Sequence, residues 1–207
     1  MDEPNVKAVK EKPPKSLARE IWSWVWELGL AVIIALCIRI FLIDFVGVLG
    51  PSMIPTLLDG EHMMVNKIVY HLQEPKRGQI IVCKYPNRKE NIVKRIIGLP
   101  GDTLRVQDQV LYINEEPMKE LYAKDALTGF DFAPITLDEG HYFVMGDNRY
   151  DSHDSRSADV GTLERSAIVG RVEAVVWPLN VFHWLKNPYV VAMEPSDVMA
   201  VWSDTAP

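Results

Sequence analysis

Cysteine is scarce in this chain: 207 residues contain two, Cys37 and Cys83. One lies in a hydrophobic run and the other in a strand-like run, so no disulfide framework is expected. No Cys/His cluster has zinc spacing, and neither a metal nor another cofactor is expected. Positive charge is not in excess. Lys and Arg number 22 against 28 Asp and Glu, a net charge of -6, which leaves no basic footprint for nucleic acid. Internal repeats and low-complexity segments are absent. So is G-x-S-x-G, the nucleophile elbow. What is present is ample apolar material, 48% of residues, enough to build a core. The length fits one ordinary domain with appendages.

Residues 21–43 read IWSWVWELGLAVIIALCIRIFLI. A helix of these 23 residues is long enough to cross a bilayer core of ~30 Å at ~1.5 Å rise per residue. Glu27 and Arg39 bracket an uninterrupted apolar run of 11 residues, 28–38. Near the ends of a span, arginine can snorkel and glutamate can reach headgroups. Trp22, Trp24 and Trp26 suit an interfacial belt, which favours an anchor over the buried helix of a soluble protein. No small-x-small cleavage site with a plausible mature start follows, so the segment is expected to stay as a signal-anchor. Lys7, Lys10, Lys12, Lys15 and Arg19 precede it, and no Lys or Arg follows until Lys67. The positive-inside rule then places residues 1–20, a flexible tail, in the cytoplasm, with everything past about Asp44 outside the cell membrane.

Beyond the anchor the pattern is mostly strands. HMMVNKIVY, GQIIVCKY, NIVKRIIG, TLRVQDQVLYI, HYFVMG and AIVGRVEAVVW are rich in β-branched and aromatic residues. Turn signals such as Pro86-Asn87, Pro100-Gly101-Asp102 and Gly146-Asp147-Asn148 separate them. The expected fold is mainly β: a single antiparallel, barrel-like domain over residues 44–186 behind one N-terminal helix. Residues 120–140 are expected to be loop-like. Residues 187–207 form a C-terminal tail with no assigned role.

The chemistry starts at GPSMIPT, residues 50–56, where glycine and two prolines stiffen the chain around Ser52. A serine needs a base before it can attack a carbonyl. His62, His71, His141, His153 and His183 are scattered without a distinctive setting. Lysine is the alternative. Lys94 interrupts the apolar strand NIVKRIIG, and alternation sends Ile92, Lys94 and Ile96 to one face, with Val93 and Arg95 on the other. A desolvated amine has a lowered pKa and can serve as a base. A lysine on an edge strand that snorkels to solvent has the same periodicity. The third stretch is GDNRYDSHDSR, residues 146–156. EF-hand spacing and its closing glutamate are missing, so a calcium loop fits poorly. Asp154 and Arg156 could form an ion pair that holds the loop, with Ser152 beside the lysine amine.

Together these stretches resemble the bacterial type I signal peptidases, the membrane-anchored serine proteases that remove signal peptides, in a Gram-positive-like short form. GPSMIPTLLDGEHMMVNKIVY is similar to the nucleophile box of that family. RGQIIVCKYP, VKRIIGLPGD, VLYINEEPMKELY, VMGDNRYDSHDSR and VGRVEAVVWPLN follow in its order. The resemblance implies Ser52 as nucleophile and Lys94 as general base, with Ser152 orienting the lysine and Asp154 and Arg156 as a supporting salt bridge. It implies preprotein substrates with small residues at -1 and -3. It also implies apolar pockets lined by Val46, Val48, Met53, Leu57, Met63, Ile92 and Val93, with Gly50 at the substrate. Gly50 stands where some members carry a serine that donates to the oxyanion, so a second donor has no candidate. Expected partners are signal peptides and membrane lipid, near the protein-export translocon. Two alternatives are a self-cleaving Ser-Lys protease of the repressor type and an inactive, membrane-anchored module that only binds signal peptides.

Overall fold

A computed structural model describes residues 17–85, 90–123, 131–186 and 191–192. Residues 1–16 of the expected tail 1–20, the Pro86-Asn87 turn and most of 187–207 lie outside the described residues, and residues 17–20 belong to a helix rather than to the tail. The chain divides into two units, Met1–Ile40 and Phe41–Pro207.

The first unit carries helix α1, Leu17–Cys37. Residues Arg19–Cys37 are long and apolar enough to cross a membrane, with a mean hydropathy of 1.6. Trp22, Trp24 and Trp26 are all exposed along it. The helix starts four residues earlier than expected and gives way to a π-helical turn, Ile38–Leu42. The apolar run continues past that turn because its last residue, Ile43, already belongs to a strand.

The second unit is mainly β. Its larger sheet contains β1 (Ile43–Gly47), β2 (His62–Asn66), β3 (Ile80–Lys84), β4 (Asn91–Gly98), β9 (His141–Met145), β10 (Leu163–Glu164), β11 (Ile168–Trp177) and β12 (His183–Trp184). The order is β1-β2-β11-β3-β4-β9-β10, with β12 also on β11, and every pairing is antiparallel. A short helix, α2 (Val69–Leu72), takes up the end of the stretch expected to be one long strand with β2.

A smaller sheet has the order β13-β7-β6-β5-β8, from β5 (Thr103–Gln107), β6 (Val110–Ile113), β7 (Glu116–Lys119), β8 (Phe132–Thr136) and β13 (Val191–Ala192). The run TLRVQDQVLYI therefore folds as a hairpin. Asp108 and Gln109 both take positive φ, 51° and 63°, as a tight two-residue turn requires. Asp131 accepts both of their N–H groups, at 3.1 and 3.0 Å, and so stabilises a turn that lacks glycine. Strand β8 corrects the expectation of a loop over 120–140. It is an edge strand, where Pro134 costs no ladder bond.

Strand β4 is covered on both faces. Ile96 packs with Ile81, Cys83, Tyr142 and Val144. Val93 lies against a second cluster that includes Val48, Met53, Leu57, Met63 and Val82. Its C-terminal end reaches a third, where Ile97 and Phe143 meet Leu104 and Leu111 of the small sheet. Residues 94–98 of β4 are thus buried whichever way they point.

Candidate active site

The turn carrying Ser52 is pinned on every side. Gly50 sits at φ +86°, a conformation that favours glycine, and its N–H donates to Asp59 Oδ1 at 2.7 Å. Val48 N–H donates to Glu61 O at 2.7 Å, and Gly60 N–H to Val48 O at 3.1 Å, closing the loop. Met53 and Leu57, 1% and 0% exposed, anchor it in the core. Ser52 itself is half-buried.

Lys94 comes from the middle of β4, opposite Ile81 of β3. It is 4% exposed, so the apolar face holds it away from solvent. Its Nζ lies within hydrogen-bond distance of Ser52 Oγ, at 2.7 Å. Burial holds the amine below the 10.5 of a solvated lysine, and the nearby Asp154 carboxylate only partly opposes this. The buried Cys83 thiol is pushed up to about 12 by the same desolvation, so it stays protonated at neutral pH.

The loop after β9 closes the site from the other side. Asp154 is fully buried. Burial alone would raise its pKa, but the Arg156 guanidinium together with the Ser152 and Gly146 hydrogen bonds outweighs that and leaves it lowered. Arg156 Nε and Nη2 each donate to it at 2.8 Å. Ser152 Oγ donates to Asp154 Oδ2 at 2.6 Å, and Gly146 N–H donates to the same oxygen at 3.0 Å. Gly146 leaves no room for a side chain. A Cβ there would lie 2.3 Å from Ser152 Oγ and 2.4 Å from the Ser52 carbonyl oxygen.

Two further buried ion pairs have no counterpart in the expectations. Arg95, 0% exposed, donates from Nε to Asp147 Oδ1 at 2.8 Å and from Nη2 to Asp147 Oδ2 at 2.5 Å. Thr56 Oγ1 donates to the same carboxylate, which ties the nucleophile turn to this pair. Arg149 donates through both terminal nitrogens to Glu120, and its Nε donates to Gly146 O at 2.9 Å. Tyr122 lies under Arg95, its ring centroid 4.1 Å from the guanidinium carbon. Neighbouring letters on a strand signalled Arg95 as the reverse face of Lys94. Glu120 gave no local signal.

A cavity of about 180 Å³ adjoins the dyad, lined by Val46, Gly47, Val48, Leu49, Gly50, Ser52, Met53, Glu90, Asn91, Ile92, Val93 and Lys94. Six of the eight expected substrate residues are among these. Leu57 and Met63 are the exceptions: both are fully buried in the cluster behind Val48 and Met53. The histidines are all half-buried or exposed. His153, on the catalytic loop, turns its ring to Asp159 and Ser157.

A serine hydroxyl joined to a buried amine, beside a groove with apolar walls, is the equipment of a serine peptidase. Comparison with known proteins agrees. Residues 21–177 match the family model described as signal peptidase, peptidase S26. The chain is 39% identical over 180 residues to a signal peptidase I of Bacillus licheniformis, covering 82% of this chain and 96% of that protein. It is 42% identical over 180 residues to signal peptidase I T of Bacillus subtilis (strain 168), covering 82% and 92% respectively. The chain belongs to this family, the bacterial type I signal peptidases, which are membrane-anchored serine endopeptidases.

Proposed function

We propose that this chain removes signal peptides from exported preproteins, cutting after small residues at -1 and -3, with Ser52 as nucleophile and Lys94 as general base. One observation carries the reading: the amine of Lys94, a residue only 4% exposed, stands 2.7 Å from the serine oxygen. The neutral Nζ takes the Ser52 proton as Oγ attacks the scissile carbonyl. The Ser52 N–H faces the oxyanion, Lys94 returns its proton to the leaving amine, and water then releases the acyl group with Lys94 again as base. The proposed role of Ser152, to orient the lysine, is supported by its donation to Asp154, whereas the amine's hydrogen bond among the described residues goes to Ser52. Arg156 keeps Asp154 charged and in place.

Substrate geometry supports the specificity. β1 pairs on one side with β2, and residues 91–94 of β4 pair with β3 alone. Both open edges line the cavity, so an extended peptide can add between them as a strand. Successive side chains of that strand alternate, which turns -1 and -3 to the same wall. Val46, Val48, Met53, Ile92 and Val93, which line the cavity, are the residues that would limit that wall to small side chains.

The charge asymmetry around α1 supports a cytoplasmic N-terminus and an extracytoplasmic catalytic domain, where preproteins emerge near the translocon. The test is cleavage of a preprotein with Ala at -1 and -3 by the full chain in lipid or detergent. Wild-type protein should cut at that junction, and Ser52→Ala and Lys94→Ala should not. Wild-type-like cleavage by either variant refutes the dyad. A module that only binds signal peptides would leave the preprotein intact in all three.

A further inference from the structure

We infer that Asn148 is a positioning residue for the oxyanion hole, acting through the Pro51–Ser52 peptide; this rests on Ser52 N–H being an oxyanion donor. Asn148 is 3% exposed and touches the nucleophile turn at two points. Its side-chain Nδ2 donates to Pro51 O at 3.2 Å, and its backbone N–H donates to Ser52 O at 3.0 Å. Only the amide nitrogen can face a carbonyl oxygen favourably, so the partner fixes which way the amide points.

Those two carbonyls belong to the two peptide units that flank Ser52. A peptide unit is a rigid plane, with C=O and N–H directed oppositely. Fixing Pro51 O therefore fixes the direction of Ser52 N–H. Ile54 N–H donates to the same oxygen at 3.1 Å, so Pro51 O is held from two directions. Donation to a carbonyl also polarises its peptide and strengthens the N–H at the other end. Asn148 thus both aims and sharpens the donor that the transition state needs.

The demand on this donor is unusually high here. Position 50 is glycine, with no side chain to offer a second hydrogen bond, and its N–H is committed to Asp59 Oδ1. An oxyanion donor stabilises only if it is aimed at the charge before the charge develops.

The experiment compares wild type with Asn148→Leu and Asn148→Ala, as full chains in detergent micelles. Leucine nearly keeps the shape of asparagine but has no N–H; alanine loses both. The Asn148 backbone bond to Ser52 O persists in each. Both variants should lose about tenfold to a hundredfold in kcat, part of the ~10²–10³ that a lost donor costs. KM should stay within about twofold, because the ground-state peptide does not use the donor. The midpoint of the rising pH limb should not move, because Lys94 is untouched. A peptide aldehyde that forms a tetrahedral adduct on Ser52 should weaken by the same factor as kcat.

Retention of kcat in Asn148→Leu with loss in Asn148→Ala would make Asn148 a packing residue and overturn the assignment. So would unchanged aldehyde affinity, full kcat in both, or failure of both to give a thermal unfolding transition. Wild type and Ser52→Ala run in the same assay keep the two readings apart. If wild type does not cleave, the proposed function fails. If wild type cleaves, Ser52→Ala does not, and the Asn148 variants are unimpaired, only this inference fails.

Discussion

Lys94→Met is the substitution that separates the chemical use of the amine from its structural cost. Methionine keeps an unbranched stem of similar length and is at home on the face that carries Ile81, Cys83 and Ile96. It cannot accept a proton. A positioned general base contributes ~10²–10⁴ to rate, so preprotein cleavage should fall by about 2.7–5.4 kcal/mol of barrier at ~1.36 per decade. Adding Ser52→Ala should cost little more, because the two residues act as one unit.

Stability should move the other way. The folded-state pKa of Lys94 lies below the 10.5 of a solvated lysine, so burial disfavours the charged form. Between the folded pKa and the unfolded one, the unfolded chain binds the extra proton, and wild-type stability climbs with pH. Below the folded pKa the full penalty is present. Lys94→Met lacks that penalty, so its unfolding temperature should exceed that of wild type most at low pH. The gap should narrow as pH rises through the folded pKa toward 10.5. Wild-type activity should follow the same ionisation: log kcat/KM rises with pH while the amine is charged, then levels before pH 10.5. The measurements are preprotein cleavage across pH and thermal unfolding of both proteins in one detergent. A Met variant less stable than wild type at every pH would refute the reasoning, as would an activity profile still climbing past pH 10.5.

Three other perturbations probe the frame around the dyad. Asp147→Asn strands the 0%-exposed Arg95 guanidinium without a counter-charge, and should cost about 3–5 kcal/mol, lowering the unfolding temperature by roughly 10 °C; a change under about 2 °C would contradict this. Glu120→Gln and Arg149→Met should each destabilise, and combined should cost less than their sum by about 1 kcal/mol or more, because they break one buried pair; additivity in denaturant unfolding would show that the pair is not coupled. Gly146→Ala forces a Cβ to within 2.4 Å of the Ser52 carbonyl oxygen, so cleavage should drop about a hundredfold; near-normal activity would mean that the nucleophile turn is free to shift.

Local pattern raised Ser52 and Lys94 as candidates, but periodicity fitted a solvent-reaching lysine equally well, and only the family resemblance paired the two. Ser52 sits in a stiffened turn where nothing apolar demands stiffness, and Lys94 interrupts a run that should be wholly apolar. Asp154 and Arg156 were legible as a pair because they are two residues apart. Arg95–Asp147 and Arg149–Glu120 join residues 52 and 29 positions apart. Arg95 meets Asp147 because β4 pairs with β9 in the register that sets Arg95 opposite Met145, two residues short of that carboxylate. Composition carries no trace of that register. Alternation also has a limit on a strand with two covered faces. It correctly sent Lys94 and Arg95 to opposite sides, yet it offered no means to see that both sides are dry.

The missed elements share a related cause. Residues 38–43 are apolar apart from Arg39, so hydropathy could not tell the last turn of the helix from the first residue of β1. Pro134 interrupts the strand pattern of β8, and its place on the sheet edge makes it harmless. The Asp108-Gln109 turn owes its two positive φ values to Asp131, 22 or more residues away. In each case the deciding contact is long-range, and the same holds for the oxyanion. Asn148 reaches Pro51 across 97 positions of chain, so the residue that aims the proposed donor is set by how the catalytic loop docks on the nucleophile turn. A chain with Gly50 can dispense with a side-chain donor only if that docking is rigid. The three buried acid–arginine pairs around residues 146–156 supply that rigidity, so their loss should slow catalysis even where the dyad itself is intact.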